Sequence, residues 1–189
     1  RSGKPRVLVF SKTSGFRHAS IPAGKAAIMK LGQENGFEVD TTEDARYFTE
    51  DSLKNYSAVI FLSTTMDVLN NYQEADFERY IQSGGGFVGI HAATDTEYDW
   101  GWYARLVGAN FLSHPKNQQA TINVVDRQHV STKHLPETWS RLDEWYNFKN
   151  MNKYFNRIAI VLLTITALAA CEDFLDREPL GRYTTDSYP

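Results

Sequence analysis

Short runs that are apolar on both faces, set between stretches of helical periodicity, constrain this chain more than any other feature. "RVLVF" (6–10), "SAVIFLS" (57–63) and "FVGIH" (87–91) are too short for helices and rich in β-branched and aromatic residues, so they read as buried strands. Between them lie "IPAGKAAIMKLGQENG" (21–36), with Pro22 in its first turn and a stop at Asn35-Gly36, and "NYQEADFERYIQSGGG" (71–86), closed by glycine. "FEVD" (37–40) adds a strand and "EDSLKNY" (50–56) a short helix. Strands alternating with helices at this spacing predict an α/β domain with a parallel sheet covered by helices on both faces. The apolar stripe of the first helix is expected at Ala23, Ala26, Ala27, Met29 and Leu31, and that of the later one at Tyr72, Phe77, Tyr80 and Ile81. Further on, "GWYARLVG" (101–108) reads as a helix, "QATINVVD" (119–126) as a strand at a sheet edge and "RLDEWYNF" (141–148) as a last strand.

Ligands of parallel α/β sheets bind outside the carboxyl ends of the strands. The loops to search are therefore 11–20, 63–70 and 92–99. "GGGFVG" (84–89) satisfies the spacing of a dinucleotide fingerprint, but a helix precedes it and a strand follows, the reverse of what places a pyrophosphate at a helix N-terminus. "GKAA" at Gly24 lacks the other residues of a phosphate loop. A formal charge of -3 gives no basic excess, which argues against a nucleic-acid partner. With Cys171 as the one cysteine, neither an intrachain disulfide nor a cysteine-rich metal site can form.

His91 ends the strand "FVGIH" and opens "AATDT", where a strand-to-helix elbow would expose it. It is either a general base or ligand, with Asp95 and Asp99 near enough to orient it, or a histidine hydrogen-bonded to backbone at a tight turn. His18 in "SKTSGFRH" follows the first strand and points to the same sheet edge, and His114 in "FLSHP" follows another strand. His129 and His134 stand in a polar stretch and are expected to be solvated. No HExxH or paired-cysteine pattern occurs, so a metal site would have to be assembled from scattered histidines and carboxylates, and the sequence leaves the metal and cofactor unassigned. Trp100, Trp102, Tyr103, Trp145, Tyr146 and Phe148, with Asp143 and Glu144 among them, supply either the aromatic faces and carboxylates of a sugar site or an ordinary core edge.

"VLVFSKTSGFRHASIP", "FLSTTMDVLN", "GGGFVGIHAATDTEYDW", "LVGANFLSHP" and "LDEWYNF" together resemble the ThuA-like (trehalose utilisation) family, related in fold to class I glutamine amidotransferases, over residues 6–149. The resemblance implies a flavodoxin-like sheet with histidine where an amidotransferase carries its nucleophilic cysteine, and so no amidotransferase activity. It also implies a role in carbohydrate utilisation, of trehalose or keto-glycoside type, with a small sugar bound at the carboxyl edge of the sheet. The residues expected to act on such a substrate are His91, Asp95, His114 and Glu144. His18, Arg17, Asp99, Trp102 and Trp145 are expected to bind it. Any catalysis would be proton transfer on a glycoside or keto-sugar. The alternatives are a non-catalytic glycan-binding or envelope scaffold protein and a non-functional fused fragment. Met66 stands where the family tends to have glycine, and Gly101 where proline is common. The family's domain continues beyond "DEWYNF", so the sheet is expected to be incomplete, with an open edge through which the chain could oligomerise.

The remainder, 151–189, reads as a second unit. Lys153 and Arg157 form a basic flank, 158–170 is an apolar run and "LAAC" ends at Cys171. As a helix the run would span about 20 Å against a hydrocarbon core of about 30 Å, a length that suits an export leader rather than a membrane span. "LAAC" resembles a bacterial lipobox, implying lipidation of Cys171, membrane association through 158–171 and residence in the periplasm or cell envelope. "CEDFLDREPLGRYTTDSYP" resembles the mature start of SusD/RagB glycan-binding lipoproteins. Two reading frames joined near Asn150 would account for this order, as would an apolar C-terminal helix covering the open sheet.

Overall fold

The computed structural model describes residues 3–149. The segments read as an export leader, a lipobox at Cys171 and a SusD-like start lie outside the described residues. Four strands, β1 (Arg6–Phe10), β2 (Glu38–Thr42), β3 (Ala58–Leu62) and β4 (Gly86–Ile90), form a parallel sheet in the order β2-β1-β3-β4. Leu8 pairs with Asp40 and Val59, and Ile60 with Val88. This is the parallel α/β arrangement predicted from the apolar runs, and of the flavodoxin-like kind that the resemblance implies.

The strands are apolar on both faces because both faces are covered. Leu8, Phe10, Val59 and Phe61 point to a core shared with α2 (Glu50–Leu53), α3 (Asn71–Gln82) and α4 (Gly101–Val107). Phe61 lies at its centre, 5.3–5.7 Å from the rings of Phe10, Phe48, Phe77, Phe87 and Tyr103. Val9 and Leu62 point the other way, to Ile28 of α1 (Ile21–Asn35). The alternation follows from the two-residue period of a strand. Asn70 caps α3 through a reciprocal capping box with Gln73, which fixes where the loop after β3 ends.

The helical stripes differ from expectation. Helix α1 buries Ile21, Ile28 and Gly32, while Met29 is 47% and Leu31 50% exposed. The face that meets the sheet is set by Gly24 and Gly32, because close approach matters there more than side-chain apolarity. A Cβ on Gly24 would stand 2.9 Å from Leu62, and one on Gly32 2.7 Å from both the Phe37 carbonyl and Val39. In α3, Phe77 and Tyr80 are buried but Tyr72 is 86% exposed, since it lies in the first turn, beyond the end of the sheet-covering face.

The later strands also depart from the prediction. β6 (Gln118–Asn123) pairs antiparallel with β7 (Thr138–Asp143) in a ribbon of its own, and does not join the main sheet edge. "RLDEWYNF" is two strands: after Asp143 the chain leaves that ribbon and forms β8 (Asn147–Phe148) against β5 (Phe111–Ser113). The residues between them, Glu144, Trp145 and Tyr146, are released from either ladder. Among the described residues β4 is paired on one side, and Val88 and Ile90 are exposed on the α1 face.

Gly32→Ala should therefore destabilise the domain by about 1–3 kcal/mol despite alanine's better helix propensity, because the added methyl meets backbone. Met29→Ala should change stability by less than about 0.5 kcal/mol. Urea midpoints of the two variants would compare them directly, and equal midpoints would refute the assignment of the buried face.

Candidate functional site

Three loops follow the carboxyl ends of β1, β3 and β4, and they continue the order of the sheet beyond its strands. Thr13 bridges Thr65 and Met66 bridges Thr96, both in the parallel sense. Ser14 N donates to Thr65 O at 2.9 Å, Met66 N to Asp95 O at 2.6 Å, and Thr65 Oγ1 to Phe16 O at 2.9 Å. The buried hydroxyls of Thr64 and Thr96 meet at 2.9 Å. Ser63 Oγ donates to the His91 carbonyl at 2.6 Å, fixing the backbone that carries that imidazole.

Glu97 locks this arrangement from below. Its side chain accepts from Val68 N and Leu69 N at 3.0 and 2.9 Å, and the residue is 3% exposed. Burial pushes its carboxyl up to about 7, with Asp67 and Glu74 adding to the rise and the two N–H groups opposing it. Ser63, Met66 and Glu97 have φ of 53°, 61° and 51°, a left-handed region disfavoured for residues with a Cβ, and all three lie at this rim. The value at Met66 explains why glycine suits the position. The Met66 side chain lies across Gly15, where a Cβ would stand 2.5 Å from its Cγ.

Above these loops His91 is the point of convergence. Its Nε2 lies 3.1 Å from His18 Nε2, 3.1 Å from the Tyr146 hydroxyl and 3.3 Å from Glu144 Oε2. His18, His91 and Glu144 each offer a ligand atom within 4.8 Å of the others, so they could hold a metal ion. Burial, and then His91, push the His18 imidazole below its ordinary value, with Glu144 and Asp95 opposing. Burial, then the charges of Glu144 and Asp95, raise the Tyr146 phenol well above its ordinary value, so it remains a hydrogen-bond donor. The rings of Phe16, His18, His91, Tyr146 and His114 follow one another at centroid distances of 4.9, 4.8, 4.6 and 5.8 Å.

His91 and Glu144 line two clefts. One of about 440 Å³ includes Phe87, Tyr146 and Phe148; the other, of about 540 Å³, runs from His18 over Ala23, Gly24 and Ala27 to Arg141 and Asp143. Both volumes fall in the range of roughly 300–1,000 Å³ typical of small-molecule sites.

Several predicted residues take other places. Arg17 forms a two-pronged pair with Glu43 at 2.9 Å, and Lys25 joins it at 2.8 Å; hydrogen bonds from Arg17 and then Lys25 hold the Glu43 carboxyl down at about 2. Asp95 lies near the cluster, but its carboxylate accepts from the Tyr98 hydroxyl rather than from an imidazole. His114 reaches the cluster through its stacking on Tyr146, with Nδ1 2.8 Å from the Pro115 carbonyl. Asp99 is exposed on the loop. Trp102 is not at the rim: it stacks on Trp100 at 5.0 Å and meets Phe77 at 6.2 Å in the core, as its position on the buried side of α4 requires. Trp145 anchors the chain by donating from Nε1 to Gln118 O at 2.7 Å.

Two residues have roles that the sequence does not assign them: Tyr146, which stands there only among the aromatics, and Glu97. Tyr146 was available from spacing, because Glu144, Tyr146 and Phe148 alternate onto the cleft while Trp145 turns to the ribbon. Glu97 carries no such signal, since nothing local marks a carboxylate whose partners lie in another loop.

The fold and the imidazole–carboxylate cluster define a flavodoxin-like α/β domain with a polar site at the carboxyl edge of its sheet. By its match to the family model for trehalose utilisation over residues 6–177, the chain belongs to the ThuA family. That match extends past the boundary near Asn150 drawn from the sequence. A ThuA-like protein from Bacteroides uniformis ATCC 8492 has a similar structure, with a TM-score of 0.66 and 25% identity, covering 78% of this chain. The matched region spans 63% of that protein's chain. No curated protein matches.

Glu97 couples this rim to pH. Its raised value means that its contribution to stability is full below about 4.5 and is lost as pH rises through about 7, a change on the order of 3 kcal/mol. Glu97→Gln keeps an acceptor for Val68 and Leu69 without the charge. Its melting temperature should match the parent near pH 4 and exceed it near pH 8; parallel curves would show that the carboxylate does not ionise in the folded state.

Proposed function

We propose that this ThuA-family domain binds a small carbohydrate, of trehalose or keto-glycoside type, in the cleft at the carboxyl edge of its sheet. The observation that carries this reading is the convergence of His18, Tyr146 and Glu144 on His91 Nε2 beside a cleft of about 540 Å³. A sugar presents hydroxyls that both donate and accept, along with apolar C–H faces. Glu144 accepts, Tyr146 donates, and the imidazoles do either according to tautomer. Phe16, 69% exposed at the edge of His18, and the small residues Ala23, Gly24 and Ala27 offer apolar surface for the C–H faces. Arg141 and Asp143 close the far end with polar groups. With histidine in place of cysteine at the end of β4, no acyl thioester can form there, so the amidotransferase reaction is not the one proposed.

In this reading His91 is the chemical centre, as base or ligand, with Glu144 Oε2 3.3 Å from its Nε2 to orient the ring or share a ligand. His114 stands one ring further out and passes protons only through Tyr146 or solvent. Asp95 acts on Tyr98, holding the loop that positions the cluster.

Calorimetric titration with trehalose and its 3-keto derivative should give saturable binding. His91→Ala should weaken it at least about tenfold, equivalent to about 1.4 kcal/mol. Ala27→Phe, at an exposed position of α1, should block the cleft while leaving the melt unchanged. If both variants bind sugar as the parent does, the site lies elsewhere.

A further inference from the structure

The three donors at the rim also raise a question that sugar binding does not answer. Two imidazole nitrogens stand 3.1 Å apart, and a carboxylate oxygen lies 3.3 Å from one of them. Without an ion, the nitrogen pair requires a proton on one ring, and His91 Nε2 then faces His18, Glu144 and Tyr146 with a single hydrogen or lone pair to share. A cation placed among the three lets each donor use its own lone pair. We propose that His18, His91 and Glu144 form a binding site for a divalent transition-metal ion of the zinc class; this rests on the cleft being the functional site and names what His91 does there.

The geometry suits such an ion. Ligands around a tetrahedral zinc with bonds of about 2.0–2.1 Å lie about 3.3 Å apart, close to both distances measured at His91. The third separation, within 4.8 Å, closes by turning the half-buried Glu144 side chain. The donor set of two imidazoles and one carboxylate selects zinc-class ions over calcium or magnesium, which prefer oxygen. Burial shifts the His18 imidazole toward its neutral, ligating form, and no hydrogen bond at Nδ1 fixes its tautomer. The three ligands come from different parts of the chain: His18 from the loop after β1, His91 from the end of β4 and Glu144 from the crossing between β7 and β8. Three protein ligands leave coordination positions facing the cleft, where a vicinal diol or a hydroxyl beside a keto oxygen can bind.

The test uses the full chain, stripped with a chelator and titrated with Zn²⁺ and Co²⁺ by calorimetry, with the visible spectrum of Co²⁺ as a second readout. One ion per chain should bind with a dissociation constant below about 1 μM, with a tetrahedral Co²⁺ band. Mg²⁺ and Ca²⁺ should not compete. His91→Ala and the nearly isosteric Glu144→Gln should each weaken binding at least about 100-fold, beyond the roughly 10–100-fold loss expected of an outer-shell partner. The double substitution His129→Ala, His134→Ala, away from the rim, should leave it unchanged. Circular dichroism melts establish that each variant is folded. Absence of stoichiometric binding, or binding undiminished in folded Glu144→Gln, would overturn the proposal. Ion binding retained while no sugar binds would instead count against the carbohydrate reading alone.

Discussion

The rim of this domain depends on backbone hydrogen bonding that outlasts the strands. Past the ends of β1, β3 and β4 the chain could have splayed into independent loops. Instead Thr13, Thr65, Met66 and Thr96 continue the parallel order, and Glu97 supplies acceptors to two N–H groups that the ladder leaves over. A buried N–H without a partner costs about 1–3 kcal/mol, so the loops after β3 and β4 hold each other by necessity. The positive φ values of Ser63, Met66 and Glu97 are tolerated because the surrounding bonds over-determine them. A floor of this rigidity keeps His91 in place, with Ser63 holding its carbonyl and Tyr146 its ring.

The chemistry above that floor is compact. Polar groups of His18, Glu144 and Tyr146 meet at one nitrogen of His91, and the rings of Phe16 and His114 flank them. The crossing from β7 to β8 is what brings Glu144 and Tyr146 into the cluster. Leaving one ribbon before entering another exposes both side chains toward the imidazoles, while Trp145 ties the segment down on its other side.

Much of this was legible in the chain because parallel sheets leave a strong imprint. Apolar runs such as "SAVIFLS" have no other comfortable home, and the rule that ligands lie beyond the carboxyl ends directed attention to His18 and His91. Glu144 followed from the family resemblance. The errors have physical sources. Met29 and Leu31 were assigned to the sheet on apolarity, whereas Gly24 and Gly32 decided the face by allowing contact. Trp102 lay within a few residues of the rim in sequence, but a helix turns by 100° per residue, and its side chain went into the core. The resemblance implies Arg17 at the sugar, and a carboxylate from the loop after β2, Glu43, pairs with it instead. Glu97 acts across a distance in sequence that no local pattern records.

The contact of Met66 with Gly15 has an implication for how the rim can vary. A residue larger than glycine at 15 would collide with the thioether-bearing side chain, yet the same change would find room if position 66 were glycine, which its left-handed backbone also favours. Either Met66 turns its exposed side chain aside or position 66 shrinks before 15 can grow, so the two positions are tied as a pair.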